Sequence, residues 1–204
     1  MRSVAMVTVS LLAFLSAICS VHAYVYFVEA ENFDPGNSVP VVGEAVWTVV
    51  EDSNAFNNNY VQYSGPHAGA VTGLLYPIPN VSDAGGTWKV WLKCLMPDGG
   101  ANSYFFYVST DGGNNWGPQQ TAGGAEGADW KWEGWTLDTP LGQGDGNVLK
   151  VSEREDERAD VICIRNDDIT PTDEEYGTWQ AEHEAVVEPL HKIATTWGSA
   201  RSAY

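Results

Sequence analysis

Basic residues are scarce: Lys and Arg number 10 against 27 Asp and Glu, a formal net charge of −17 over 204 residues. So acidic a chain repels phosphate backbones and anionic headgroups, which excludes nucleic acid and an anionic membrane surface as partners. Cysteine is scarce too, three in all, and none is spaced C-x-x-C, so a zinc ribbon or thioredoxin-like motif is excluded. The chain has no glycine-rich phosphate loop and no nucleophile elbow. His183-Glu184 does not begin a zincin motif, because the position that would carry the second histidine is Val187. The apolar run from Val4 to Ile18 is shorter than the roughly 20 residues a membrane-spanning helix needs.

That run has another use. Arg2 precedes it and small residues ending in Val21-His22-Ala23 come after it, the order of a secretory signal peptide cleaved after Ala23. The expected product is secreted or held at the cell surface without inserting into the membrane, and Cys19 leaves with the leader. What remains is about one domain long. Cys94 and Cys163 each lie in an apolar strand-like run, KVWLKCLM and DVICIRN. Export permits a disulfide between them, and two buried thiols would suit the same runs.

From Tyr24 onward the chain alternates short strand signals with turn chemistry. Strands are expected at Tyr24–Ala30, Glu44–Val50, Tyr60–Tyr63, around Leu74–Ile78, and most strongly at Thr87–Leu95 and Ser103–Ser109. Asp111-Gly112-Gly113 and Gly142–Asn147 read as hairpin turns. Many short strands without intervening helices predict an all-β sandwich or barrel. A domain boundary is expected near Glu175. Residues 176–204 form a C-terminal appendage, a frayed end or an anchoring tail that could meet other cell-envelope proteins, with a short helix at Ala181–Val187 stopped by Pro189.

Val28-Glu29-Ala30-Glu31-Asn32-Phe33 carries two carboxylates two residues apart, which in a strand share a face. They would either face solvent or hold a cation between them. Calcium accepts six to eight oxygens in mixed geometry, and Asp160, opening the apolar strand VICI, is a third candidate ligand. Together, Glu29-Ala30-Glu31, Asn59-Tyr60-Val61, Gly86-Thr87-Trp88-Lys89-Val90-Trp91-Leu92-Lys93 and Arg158-Ala159-Asp160-Val161-Ile162-Cys163-Ile164 resemble, in the same order, the family 6 and family 35 carbohydrate-binding modules. The resemblance covers residues 24–175. It implies a jelly-roll β-sandwich of two antiparallel sheets whose structural calcium is held by Glu29, Glu31 and Asp160, with loop carbonyls near Asp52–Asn54.

A pyranose needs flat apolar rings for its C–H face and fixed polar groups for its hydroxyls. Nine Trp and nine Tyr are available, densest at Trp130-Lys131-Trp132-Glu133-Gly134-Trp135, where a regular strand puts Trp130 and Trp132 on one face and Trp135 on the other. The resemblance implies a sugar clamped between Tyr60 and Trp132 or Trp130. The family's asparagine before its closing strand is replaced here by Glu157-Arg158. Any single Trp could equally belong to the core.

Three weaker signals remain. Ser109-Thr110-Asp111-Gly112-Gly113-Asn114-Asn115-Trp116 fits an Asp-box once, so it predicts no propeller but a hairpin with Asp111 bonded to turn amides and Trp116 packed behind. The run Glu153–Arg158 reads as a solvated turn or edge, and Asn80-Val81-Ser82 is a glycosylation sequon. The expected protein is a non-catalytic secreted module binding a polysaccharide or glycan with structural calcium. The alternatives are a cell-envelope structural or adhesion module on the same fold, or a glycoside hydrolase or lyase.

Overall fold

The computed structural model describes residues 23–66, 70–82, 85–99 and 102–183. The leader expected at 1–23 lies outside them but for Ala23, as does the tail beyond 183. Two antiparallel sheets stack face to face as a jelly-roll β-sandwich. The seven-stranded sheet runs β2 (Val41–Val42), β3 (Ala45–Glu51), β4 (Asn59–Ser64), β11 (Arg158–Arg165), β6 (Lys89–Leu95), β9 (Lys131–Thr136), with β1 (Val25–Glu29) also paired to β11. The four-stranded sheet runs β5 (Leu74–Ile78), β10 (Asn147–Glu153), β7 (Ser103–Ser109), β8 (Gln120–Gly123).

Period-two alternation fills the space between the sheets. Tyr76, Phe106 and Leu149 from the small sheet meet Tyr63, Val90, Leu92 and Ile164 from the large one. Trp88, 1% exposed, is among the largest side chains buried there.

β11 decides the site. Its first residues, Arg158 and Ala159, pair with β4, and Val161–Arg165 pair with β1, so the neighbour changes at Asp160. On the other side, the register with β6 slips between Ala159 and Val161, a bulge that leaves Asp160 unpaired. A one-residue slip reverses the faces of every later residue in the strand. Ala159, Ile162 and Ile164 therefore point into the sandwich, while Val161 and Cys163 join an outer cluster with Phe27, Trp91 and Tyr176. Cys94 sits on the inner face of β6. The two thiols are free and lie on opposite faces of one sheet, so the permitted disulfide does not form. Burial raises both, Cys94 to about 12.

Two expectations need correction. The chain does not leave the fold near Glu175: a helix, α1, spans 173–183 and lies on the outer face of the large sheet. Thr172 caps it, accepting the Glu175 amide proton, a T-x-x-E start that lies well before the helix expected at Ala181–Val187. Glu153–Arg158 is not a solvated edge either. Glu153 is 1% exposed and accepts hydrogen bonds from the Val71 and Thr72 amides and from the Thr72 and Ser152 hydroxyls. Glu157, equally buried, accepts from the Arg154 and Glu155 amides. The Asp111 hairpin is as expected: Asp111 bonds the Ser109 hydroxyl and the Asn115 amide, and the Trp116 ring lies against the turn at Gly113 while keeping 36% of its surface exposed.

Gly134 pairs with Trp91 across β9 and β6, and a Cβ there would come within 2.4 Å of the indole. Gly134→Ala is expected to destabilise the domain by about 1–3 kcal/mol through overpacking, read as a lower urea midpoint at unchanged m-value.

Candidate functional site

Glu29 ends β1 opposite Val161, beside the bulge that releases Asp160. The chain then tightens into a 3-10 turn, Ala30–Asn32, which contains Glu31. The strand-face argument for Glu29 and Glu31 thus does not hold. It is the 3-10 turn that brings the two carboxyls within electrostatic reach of each other, with Asp160 within reach of both.

The three acids differ in how they are satisfied. Glu29 Oε1 accepts from the Tyr176 hydroxyl and from the Asn57 and Gln180 amides. Asp160 Oδ2 accepts the Phe56 amide proton at 3.0 Å. Glu31 Oε2 and Asp160 Oδ1 are buried with no hydrogen-bond partner. Burial, followed by the neighbouring carboxylates, pushes Glu31 up to about 8, and burial pushes Asp160 up to about 7. Among the described residues no group of three His, Cys, Asp or Glu forms a ready-made metal-ligand set. The two orphaned oxygens still fit a hard cation, because a buried carboxylate oxygen without a donor is costly and oxygen is what such a cation takes.

From the loop that follows Asp52–Asn54, Phe56 and Asn57 donate directly to Asp160 and Glu29. Asn57 and Asn58 hold φ of +49° and +62°, the left-handed region asparagine tolerates, which folds the loop back onto β1. The Asn-rich run NNN in front of Tyr60 was the signal for it.

The aromatic residues are divided differently from expectation. Trp130 precedes β9 and meets Tyr60 edge-on, with ring centroids 5.2 Å apart. Asp52, close enough for the indole to help hold its carboxyl low, is held low first by the Asn54 amide. Trp132 is elsewhere: it packs on Phe27 at 6.1 Å and donates to Asp173 at 2.9 Å under α1. Tyr60 and Trp132 therefore do not clamp a common ligand. Tyr60 is itself 7% exposed, its hydroxyl bonded to Gln62, so Trp130, partly buried, is the more accessible ring of the pair. Beside it, Glu51, Asp52, Ser53 and Asn57–Asn59 line an open polar cavity of about 510 Å³.

No protein-family model matches the sequence, and no curated protein matches it. Solved structures do resemble the chain. A family 35 carbohydrate-binding module from Clostridium thermocellum is 21% identical, with a TM-score of 0.46 over 68% of this chain and 97% of that one. A family 35 module from Paenibacillus barcinonensis is 19% identical, at 0.45 over 68% and 97%. An exo-β-1,3-galactanase from Phanerochaete chrysosporium is 18% identical, at 0.46 over 69% of this chain. The chain spans only 29% of that galactanase and 28% of a xylanase from Clostridium thermocellum that it also resembles. No described helix is long and apolar enough to cross a membrane.

Proposed function

We propose that the protein is an exported, non-catalytic module that binds a polysaccharide or glycan and is stabilised by calcium at Glu29, Glu31 and Asp160. The observation that carries the sugar reading is Trp130: a partly exposed indole braced against Tyr60 and close to Asp52, which lines a cavity rimmed by carboxylates and amides. An aromatic face beside fixed acceptors and donors is what a pyranose requires. The ordered resemblance to family 6 and family 35 modules supports the same reading, and the leader supports export. Bound calcium would supply two positive charges against three crowded carboxylates and ligate the oxygens that otherwise lack donors.

Isothermal titration against a panel of soluble glycans tests the sugar reading. Trp130→Ala is expected to weaken the best ligand by about 30-fold or more, the loss typical of removing a central aromatic anchor. An unchanged affinity in that variant, or no binding across the panel, would overturn it. The second reading, an envelope structural or adhesion module, is favoured by the burial of Tyr60 and by the packing of Trp132 against Phe27 instead of Tyr60. It predicts the empty panel together with an intact calcium response.

A further inference from the structure

The seam between β1 and α1 shares no residue with the Tyr60–Trp130 pair. Tyr176, Trp179, Gln180 and His183 recur at i, i+3, i+4 and i+7, one helix face, and all four line a cavity of about 370 Å³ against Tyr26, Phe27, Glu29 and Asn32. Across Trp179 lies a second cavity of about 310 Å³, lined by Val25, Phe27, Glu175, Thr178 and Glu182. Trp179 thus divides one groove whose two halves share Phe27.

The rings in the seam are held in place. Tyr26 meets Trp179 edge-on at 5.9 Å, and His183 stacks on it at 4.1 Å with the planes 16° apart. His183 Nδ1 is 2.7 Å from the Trp179 carbonyl, which sets that nitrogen as the donor and leaves Nε2 as the other polar atom of the ring. Aromatic walls with an imidazole, two amides and carboxylates along the rim match an amphipathic ring, apolar on its C–H face and hydroxylated at its edge. Glu29, Glu182 and Glu175, the last paired to Arg165, line the groove and among the described residues no Lys or Arg does, so the lining disfavours an anionic sugar.

We infer that this seam is a second carbohydrate site, taking a neutral oligosaccharide with one sugar ring on either side of Trp179. The site goes beyond the Trp130 reading and stands or falls separately from it.

Indole N–H resonances of the full chain, with Trp179 and Trp130 assigned from Trp179→Phe and Trp130→Phe, separate the two. The Trp179 resonance is expected to shift saturably on addition of xylohexaose or β-1,3-galactotriose and to stay put with tetragalacturonate. His183→Ala, a change at an exposed position, should weaken that response about fivefold or more. A Trp179 resonance unmoved by about 10 mM of both neutral probes overturns the seam site, whatever Trp130 does, since even millimolar affinity would register. A shift as large with tetragalacturonate overturns its selectivity for neutral sugars. Movement of Trp179 alone supports the seam while removing the Trp130 reading.

Discussion

Adding a chelator to the calcium-saturated protein is expected to lower its thermal midpoint by roughly 8–16 °C. A ligand held at about 1,000 times its Kd stabilises the folded state by about 4 kcal/mol, and a domain of this size moves about 2–4 °C per kcal/mol. Asp160→Asn should abolish the response, since it removes the charge at the bulge where β11 changes partners. The pH dependence supplies the sign. Glu31, Asp160 and Glu157 are all raised, to about 8, 7 and 8, chiefly by burial. The folded chain therefore keeps protons that the unfolded chain has already released. In chelator, this contribution to stability is full below about pH 4 and is lost as pH rises through about 7 to 8. With calcium, Glu31 and Asp160 no longer hold protons in the folded state, and the decline should shrink to that of Glu157. Thermal melts between pH 5 and 8, with and without chelator, read both effects. Coincident curves would remove calcium from the account.

Tyr176→Ala is expected to cost about 3–5 kcal/mol, the range for truncating a buried aromatic ring. Tyr176 is 1% exposed, packs on Phe27 and Phe56 with ring centroids 5.6 and 4.6 Å away, and donates to Glu29. The helix that carries it is tied down further by Lys93–Asp173 and Arg165–Glu175 ion pairs. A residue in an appendage would cost nothing measurable, so chemical denaturation distinguishes the two cases. Tyr176→Phe keeps the ring and loses only its hydrogen bond to Glu29, which should cost about 1–3 kcal/mol. Equal losses in the two variants would mean that the ring packing contributes little.

The strands were legible because they are local. At Leu74–Ile78 and Ser103–Ser109 the apolar and aromatic runs bounded by turn residues match the elements found. The same local logic failed where a residue's role depends on partners far along the chain. Glu153 looks like part of a charged run, yet distant Val71 and Thr72 supply the amides that allow its burial. Trp132 sits in an aromatic cluster that invites a sugar, yet it packs on Phe27 and donates to Asp173 at the start of α1. The helix itself had a readable start in Thr172-Asp173-Glu174-Glu175, outweighed by the polar composition of the residues beyond it.

The sequence alone determined an acidic, strand-rich chain with no phosphate-binding or nucleophilic motif, and its resemblance to known modules singled out Glu29, Glu31 and Asp160 as candidate ligands. Only the tertiary structure decided which faces these residues take. Period-two reasoning assumes an unbroken ladder, and a single bulge at Asp160 reverses the faces of β11 after it. That reversal puts Cys163 on the face opposite Cys94 and lines Val161 and Cys163 up under α1. A one-residue slip has no signature in hydrophobicity, because both faces of this strand are buried.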